Sequence, residues 1–497
     1  MRWGSASLLG AALLVGGWLR FTNLDATQMT ADEGASWAAA SAPTVVQAVL
    51  RSRRLNPGKL GLHDALMHVW MRIGGDSLAS MRGLSAALGA IAIALVFAVV
   101  AEILKLDTDR GAEDSARERR DWIAAATAMV FALDVLAIAQ SRIARMYMVL
   151  MVAVLAQVWF FVRAIRAGGF RNRAGLAITS ALAVAAHFSA GLVLLSEVGW
   201  AALRLRRNHV EIRRWTESSE ARAVAAIGVG GLMLAPLART PLGIAYGFVR
   251  AGNLSWIPRP TLMTPVSVFI ESFGRYGTVA IAAFALFAVI STWRTTRESI
   301  TFLVLWALFP PLLLTAISFV QPIFVVYYVM SSAVPIAALA AIGFEALPMR
   351  PLRWVALACV VALLVTPVRV YFALLGESHF VRWGSAVSRA REDLKPGELA
   401  LVEPDWAVNV VRYYLRAAGD DLAERARFDR LDTLRATPTV LISSDNANID
   451  DPVGVKWFLW TAPDVVARFP GVTVRTIRPD RMAELRSLVR DHPDQLK

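Results

Sequence analysis

The chain has 497 residues, of which 56% are hydrophobic and only 18% charged, with a formal net charge of +13. A composition this apolar excludes an ordinary soluble domain. The arginines concentrate in short connectors between apolar runs, so the positive charge reads as membrane topology and argues against a nucleic-acid partner. The single cysteine, Cys359, lies inside an apolar segment and excludes an intramolecular disulfide.

In chain order, residues 5–21 form the first apolar segment, and with Arg2 before it and no small-x-small cleavage site it reads as an uncleaved signal-anchor helix. Close behind stands Thr30-Ala31-Asp32-Glu33-Gly34. Carboxylates where the chain leaves the bilayer are costly, which makes Asp32 a candidate general base at a membrane face. The same residues also spell a plain helix start, with Thr30 as N-cap and Asp32 and Glu33 favoured by the helix dipole, so both readings stand at this point. Residues 33–50 are alanine-rich and helix-like, and residues 62–73 are apolar but too short to span. Short amphipathic pieces carrying Trp and Arg fit helices lying in the interface.

Further apolar segments follow at 83–104, 122–139 and 148–165. Residues 175–205 are long for one span at about 1.5 Å per residue, and read as two short helices turning at His187. Segments at 223–237, 276–293, 300–319, 324–347 and 354–371 complete about 11 transmembrane helices. The chain therefore reads as a polytopic α-helical membrane domain, residues 1–373, followed by a soluble domain, residues 374–497. In the latter, strand-like runs at 399–402, 439–442 and 472–474 alternate with helix-like stretches at 406–416 and 482–490, the pattern of a small α/β domain. It carries no glycine-rich nucleotide fingerprint.

Arginines after every second segment, among them Arg119, Arg173, Arg207, Arg297 and Arg353, mark the cytoplasmic loops. The two long connectors, 22–81 and 238–275, and the C-terminal domain then lie outside. ATP and nucleotide sugars are absent from that side, so a transferase there needs a donor that is membrane-bound and already activated. A second basic group breaks the inside rule: Arg51, Arg53, Arg54 and Lys59 in the first outer connector, with Arg142 and Arg145 also outside. Such side chains suit either a phosphate on a lipid carrier or anionic headgroups. His63 and His68 are five residues apart, which does not place two zinc ligands on one helix face, and no metal site is read. His187 reads as a packed or hydrogen-bonded intramembrane residue, and Trp256 as an interfacial aromatic or a sugar-stacking platform.

Several pieces in this order resemble the GT-C superfamily of polytopic glycosyltransferases, in particular bacterial members similar to protein O-mannosyltransferases and lipid A sugar transferases. They are the acidic pair after span one, the first-loop stretch 63–82 with His68, Trp70 and Gly75-Asp76-Ser77, and Ser141-Arg142-Ile143-Ala144-Arg145-Met146-Tyr147. Ala186-His187-Phe188, Trp256-Ile257-Pro258 and Pro322-Ile323-Phe324 follow. The resemblance covers the membrane part and rests on order and spacing more than on any one motif. It implies a multi-pass protein of the bacterial inner membrane whose C-terminal domain is periplasmic or extracellular. It further implies an inverting transfer of a sugar from a polyprenyl-phosphate donor to an envelope acceptor, with Asp32 as base and Glu33 beside it. Arg145, Arg53, Arg54, Lys59 and Arg142 would meet the phosphate, and His63, His187, Trp256, Tyr327 and Tyr328 the substrates. No cofactor is required, and a divalent metal is left open. The chain departs from the pattern in having Asn56-Pro57-Gly58 for a first-loop proline pair, Tyr327-Tyr328 for an Arg-Tyr pair and Tyr147 near the place of a second acidic residue. Two other classes compete: a lipid-linked sugar flippase, although no internal repeat is evident, and an inactive scaffold.

Overall fold

The computed structural model of the protein describes residues 3–56, 59–107, 114–209, 216–250, 254, 257–375, 382–394, 400–403, 407–416, 426–427, 440–444, 465–470 and 472–476. The predicted helix at 482–490 lies outside them. The chain opens with α1 (Trp3–Phe21), α2 (Ala31–Ala40), α3 (Val45–Leu55), α4 (Leu62–Gly74) and α5 (Leu78–Ile103). It continues through α6 (Asp114–Ala132), α7 (Val135–Ser141), α8 (Tyr147–Arg166), α9 (Phe170–Ala186), α10 (Ala190–Arg207) and α11 (Ser219–Arg250). Then come α12 (Thr264–Thr292), α13 (Arg297–Val320), α14 (Ala333–Glu345), α15 (Arg350–Leu374), α16 (Trp383–Asp393) and α17 (Val408–Arg416). Five strands accompany the last of these: β1 (Ala400–Glu403), β2 (Ala426–Arg427), β3 (Val440–Ser444), β4 (Val465–Phe469) and β5 (Val472–Thr476).

The chain forms two compact units, one of Met1–Leu24 and Pro43–Phe372, the other of Asp25–Ala42 and Ala373–Lys497. The first is a polytopic helical membrane domain. Among the described residues seven helices are long and apolar enough to cross a bilayer, or eight if the bent pair α6–α7 is one span. α9, α10 and α14 occupy the remaining segments read from the sequence. α1 packs on α5 and α6, α5 on α8, α8 on α9, and α12 on α14. Gly343 of α14 lets the backbone of Phe284 in α12 approach so closely that a Cβ there would strike its carbonyl oxygen. Small residues at such crossings let helices in lipid meet backbone to backbone.

One predicted span, 122–139, is broken. α6 stops at Ala132 and α7 starts at Val135, bent by 64°. Asp134 takes the N-cap position of α7, its Oδ1 accepting the amide of Ala137 at 3.0 Å. The carbonyls left over at the end of α6 are met by a buried arginine: Arg20 Nη1 donates to Ala132 at 3.0 Å and, within its own helix, to Gly16 at 2.9 Å. Unsatisfied carbonyls at this depth cost several kcal/mol each, so the guanidinium is what makes the break tolerable. The single helix expected over 33–50 is also divided, because Pro43 lacks an amide hydrogen and Thr44 caps α3 by accepting the amide of Gln47 at 3.2 Å. At the helix ends read as cytoplasmic, carboxylates draw neighbouring helices together: Glu102 with Lys105 and Arg166, and Glu345 with Arg119 and Arg353.

The second unit is built on a five-stranded sheet in the order β2-β1-β3-β5-β4. β1 pairs in parallel with β2 and β3, whereas β5 runs antiparallel to β3 and β4. α17 is the crossover between β1 and β2, and its buried Val410, Val411 and Leu415 alternate at helical spacing. α2 belongs to this unit, although the sequence reading places residues 25–42 with the membrane part.

Replacing Arg20 by Leu removes the donors that meet Ala132 and Phe131, and is expected to destabilise the membrane unit by roughly 2–4 kcal/mol. Thermal unfolding in detergent measures it; an unchanged melting temperature contradicts this role.

Candidate functional site

Three turns and one helical hairpin of the membrane unit converge. The hairpin is α3–α4. Its reversal needs Gly61, which sits at φ 90° with Val49 close enough that a Cβ would lie 3.1 Å from it. Only glycine adopts that backbone without strain. The reversal lays the first turn of α4 against Ser52 and Asn56, which lie four residues apart on one face of α3.

A polar network fills this contact. Ser52 Oγ donates to Asp64 Oδ2, and Asn56 Nδ2 reaches the same oxygen at 3.4 Å. His63 Nδ1 stands 2.8 Å from Asp64 Oδ1, within hydrogen-bonding distance. Burial pushes the Asp64 carboxyl up, but the His63 hydrogen bond and charge, the Ser52 hydroxyl and Lys59 outweigh it and hold the group below its ordinary 3.8. His63 is 4% exposed, and its Nε2 is buried without a hydrogen-bond partner among the described residues.

Asn56 joins this network to the cations. Its Oδ1 accepts from Arg145 Nη1 at 2.7 Å and from Lys59 Nζ at 3.3 Å. Asn56 is uncharged, so the contact orients the two cations without cancelling them. Arg145, 5% exposed, comes from the turn between α7 and α8, and Tyr147, two residues on, packs at a tilt of 50° on Tyr327 with ring centroids 4.5 Å apart. Tyr327 meets Tyr328 edge-on at 5.4 Å, and Tyr328 packs on the His187 ring at 4.5 Å. His187 caps the end of α9 in an extended conformation, its Nδ1 accepting the Ser189 amide at 3.1 Å. The charges of Lys59 and Arg145 both fall on this imidazole. Next to it, Leu150, Val154, Val193, Tyr328 and Met330, with Ser189 and Ser331, line a small, mostly apolar hollow between α8, α10 and the 3₁₀ turns at 326–332.

The predicted residues therefore separate. Arg145, Lys59, His63, His187, Tyr327 and Tyr328 share one neighbourhood. Arg142, three residues from Arg145, is committed elsewhere: its guanidinium takes the carbonyls of Leu19 at 3.1 Å, of Asn23 at 2.9 Å and of Thr22, closing the end of α1. On α3, Arg54 is exposed, while Arg53 has its Nε buried without a hydrogen-bond partner among the described residues. Trp256 lies outside the described residues. Asp32 and Glu33 stand on α2, in the other unit. Glu33 is buried in a capping box, its Oε2 accepting the Thr30 amide at 2.9 Å while Thr30 Oγ1 accepts the Glu33 amide at 3.2 Å. Asp32, beside it, is exposed in the first turn. Ser52, Asn56 and Asp64 were not singled out by the sequence reading as site residues. Their only linear signal is Asp64 beside His63 and the four-residue spacing of Ser52 and Asn56.

No protein-family profile and no curated protein sequence matches the chain. Solved structures do. ArnT from Cupriavidus metallidurans in the apo state matches with a TM-score of 0.61 at 15% identity, over 97% of this chain and 98% of that one. The same protein bound to undecaprenyl phosphate gives 0.57 at 13% identity, over 97% and 99%. The Archaeoglobus fulgidus oligosaccharyltransferase, in a complex with zinc and sulfate, gives 0.51 at 12% identity, over 88% of this chain and 68% of its own.

Because the Asp64 pKa is depressed in the fold, the stability it contributes is present above its unfolded value and lost as pH falls through the folded one. The hairpin is therefore expected to be insensitive to pH from 8 down to about 4 and to loosen below that. Tryptophan fluorescence of Trp70 in a single-tryptophan background reports it, and Asp64→Asn should remove the acid transition; a transition near pH 6 contradicts the assignment. The likeness of these structures over almost the whole chain shows that this protein shares the fold of ArnT and of the archaeal oligosaccharyltransferase.

Proposed function

We propose that the chain is an integral membrane glycosyltransferase that moves a sugar from a polyprenyl-phosphate donor to an envelope acceptor on the outer face of a bacterial inner membrane. The observation that carries this reading is the pairing of Arg145 and Lys59 on Asn56 beside the Tyr328 hollow. A phosphate needs cations held in fixed geometry, and an isoprenoid chain needs an apolar surface next to them. ArnT, which shares the fold, is known bound to undecaprenyl phosphate.

In this reading the lipid phosphate lies against Arg145 and Lys59, with the buried Nε2 of His63 and the Tyr327-Tyr328 rings as further contacts to the donor. Asp32 takes the proton from the acceptor hydroxyl as its oxygen attacks the anomeric carbon. The bond from that carbon to the phosphate oxygen breaks, its electron pair stays on the phosphate, and the configuration inverts. Charge growing on the departing phosphate is stabilised most by cations already in place, which places the benefit in the transition state. Glu33 holds the cap from which Asp32 projects. The soluble domain faces the periplasm or the exterior.

Arg145→Ala is expected to weaken undecaprenyl-phosphate binding by roughly 10–100-fold, the worth of a charge-assisted hydrogen bond. Asp32→Asn should leave that binding unchanged and lower turnover by about 10²–10⁴-fold. Binding to the purified protein and transfer of radiolabelled sugar from the lipid measure the two. Unaltered binding in both Arg145→Ala and Lys59→Ala contradicts the phosphate site, and full transfer by Asp32→Asn contradicts the base.

A further inference from the structure

We infer that the C-terminal domain carries the acidic helix as one of its own elements and that Tyr414 is a positioning residue for Asp32; this rests on the reading of Asp32 as the base. The chain leaves the membrane unit at Leu24 and returns to it at Pro43. The eighteen residues between them are folded into the second unit.

The attachment brackets Asp32 on both sides. Ahead of it, the Met29 amide donates to the Tyr414 phenolic oxygen at 2.8 Å. One residue earlier, the Gln28 side chain is held at both ends: Oε1 accepts the Gly384 amide at 2.6 Å and Nε2 donates to Ser385 Oγ at 3.2 Å. Behind it, Gly34 lies on α17 so closely that a Cβ there would stand 2.7 Å from the Val410 amide nitrogen and 3.0 Å from its Cβ. Further on, Trp37 meets Tyr413 edge to face at 5.4 Å. Glycine at 384 in turn makes room for Tyr414, whose ring would stand 2.9 Å from a Cβ at that position.

A hydrogen bond just before the cap, a bare backbone contact one turn later and an aromatic edge beyond leave α2 neither rotation nor slide on α17. Asp32 is the exposed residue in the middle of this clamp. α17 is itself the crossover of the parallel strands β1 and β2, so the sheet fixes the helix that fixes the carboxylate. A general base loses most of its effect when displaced by about an ångström, so the domain acts on the chemical step and not on the hold on the donor.

The test compares Tyr414→Phe, which deletes only the hydroxyl, with Gly34→Ala, which forces α2 off Val410, in the full-length protein. With a polyprenyl-phosphate sugar as donor, kcat is expected to fall about 5–20-fold for Tyr414→Phe and further for Gly34→Ala. The donor KM and undecaprenyl-phosphate affinity should stay within about twofold of the parent, because the phosphate contacts lie in the other unit. Wild-type kcat in both variants while Asp32→Asn is inactive overturns the positioning role alone. A drop confined to donor affinity overturns it as well, since Tyr414 would then act through the lipid. Wild-type kcat in Asp32→Asn overturns both this inference and the base it rests on. Should Gly34→Ala fail to fold, Tyr414→Phe decides by itself.

Discussion

A guanidinium carried into an apolar interior must be met by oxygen atoms, and one end of the membrane unit is organised by that demand. Arg20, Arg82 and Arg142 meet it with backbone carbonyls around α1 and the α6–α7 break. Those contacts replace helix hydrogen bonds that lipid could not supply. Arg145 meets it with the side chain of Asn56, which it shares with Lys59. The first three arginines hold the scaffold together. The fourth donates to a neutral side-chain amide, and that difference underlies the functional reading.

The demand also explains the hairpin before α5. Asn56 can serve Arg145 only if its own amide group is held, and Asp64 does that from the next helix. Asp64 in turn needs Ser52 and His63 to remain a buried carboxylate. Each link is a hydrogen bond whose loss would strand a buried polar atom of its partner, so the network is cooperative and intolerant of single deletions. Gly61 is the conformational condition for all of it.

Much of the membrane architecture was legible in the sequence because apolar length and arginine spacing are linear signals. The turn at His187 was legible too, since 175–205 is long for a single span. The α6–α7 break was not, because Asp134 is a single polar residue inside an apolar run and its consequence depends on Arg20, more than a hundred positions away. The sequence reading puts Arg145 ahead of Arg142 for the phosphate, but not for the reason that divides them in the fold, which is that Arg142 meets carbonyls at the end of α1 and Arg145 meets Asn56 at the end of α3. The membership of residues 25–42 in the second unit was hidden for a similar reason. Nothing in Gln28, Gly34 or Trp37 points forward to Gly384, Val410 or Tyr413, and only the folded sheet brings them together.

The central claim is that the Arg145–Asn56–Lys59 contact is a seat for a lipid phosphate. A structure of the full-length protein in a lipid nanodisc with undecaprenyl phosphate tests it most directly. The account predicts phosphate density within hydrogen-bonding distance of both Arg145 and Lys59, with the first isoprene units in the hollow beside Tyr328. Phosphate bound at the surface by Arg51 and Arg54, with Arg145 still enclosed by protein alone, would contradict it.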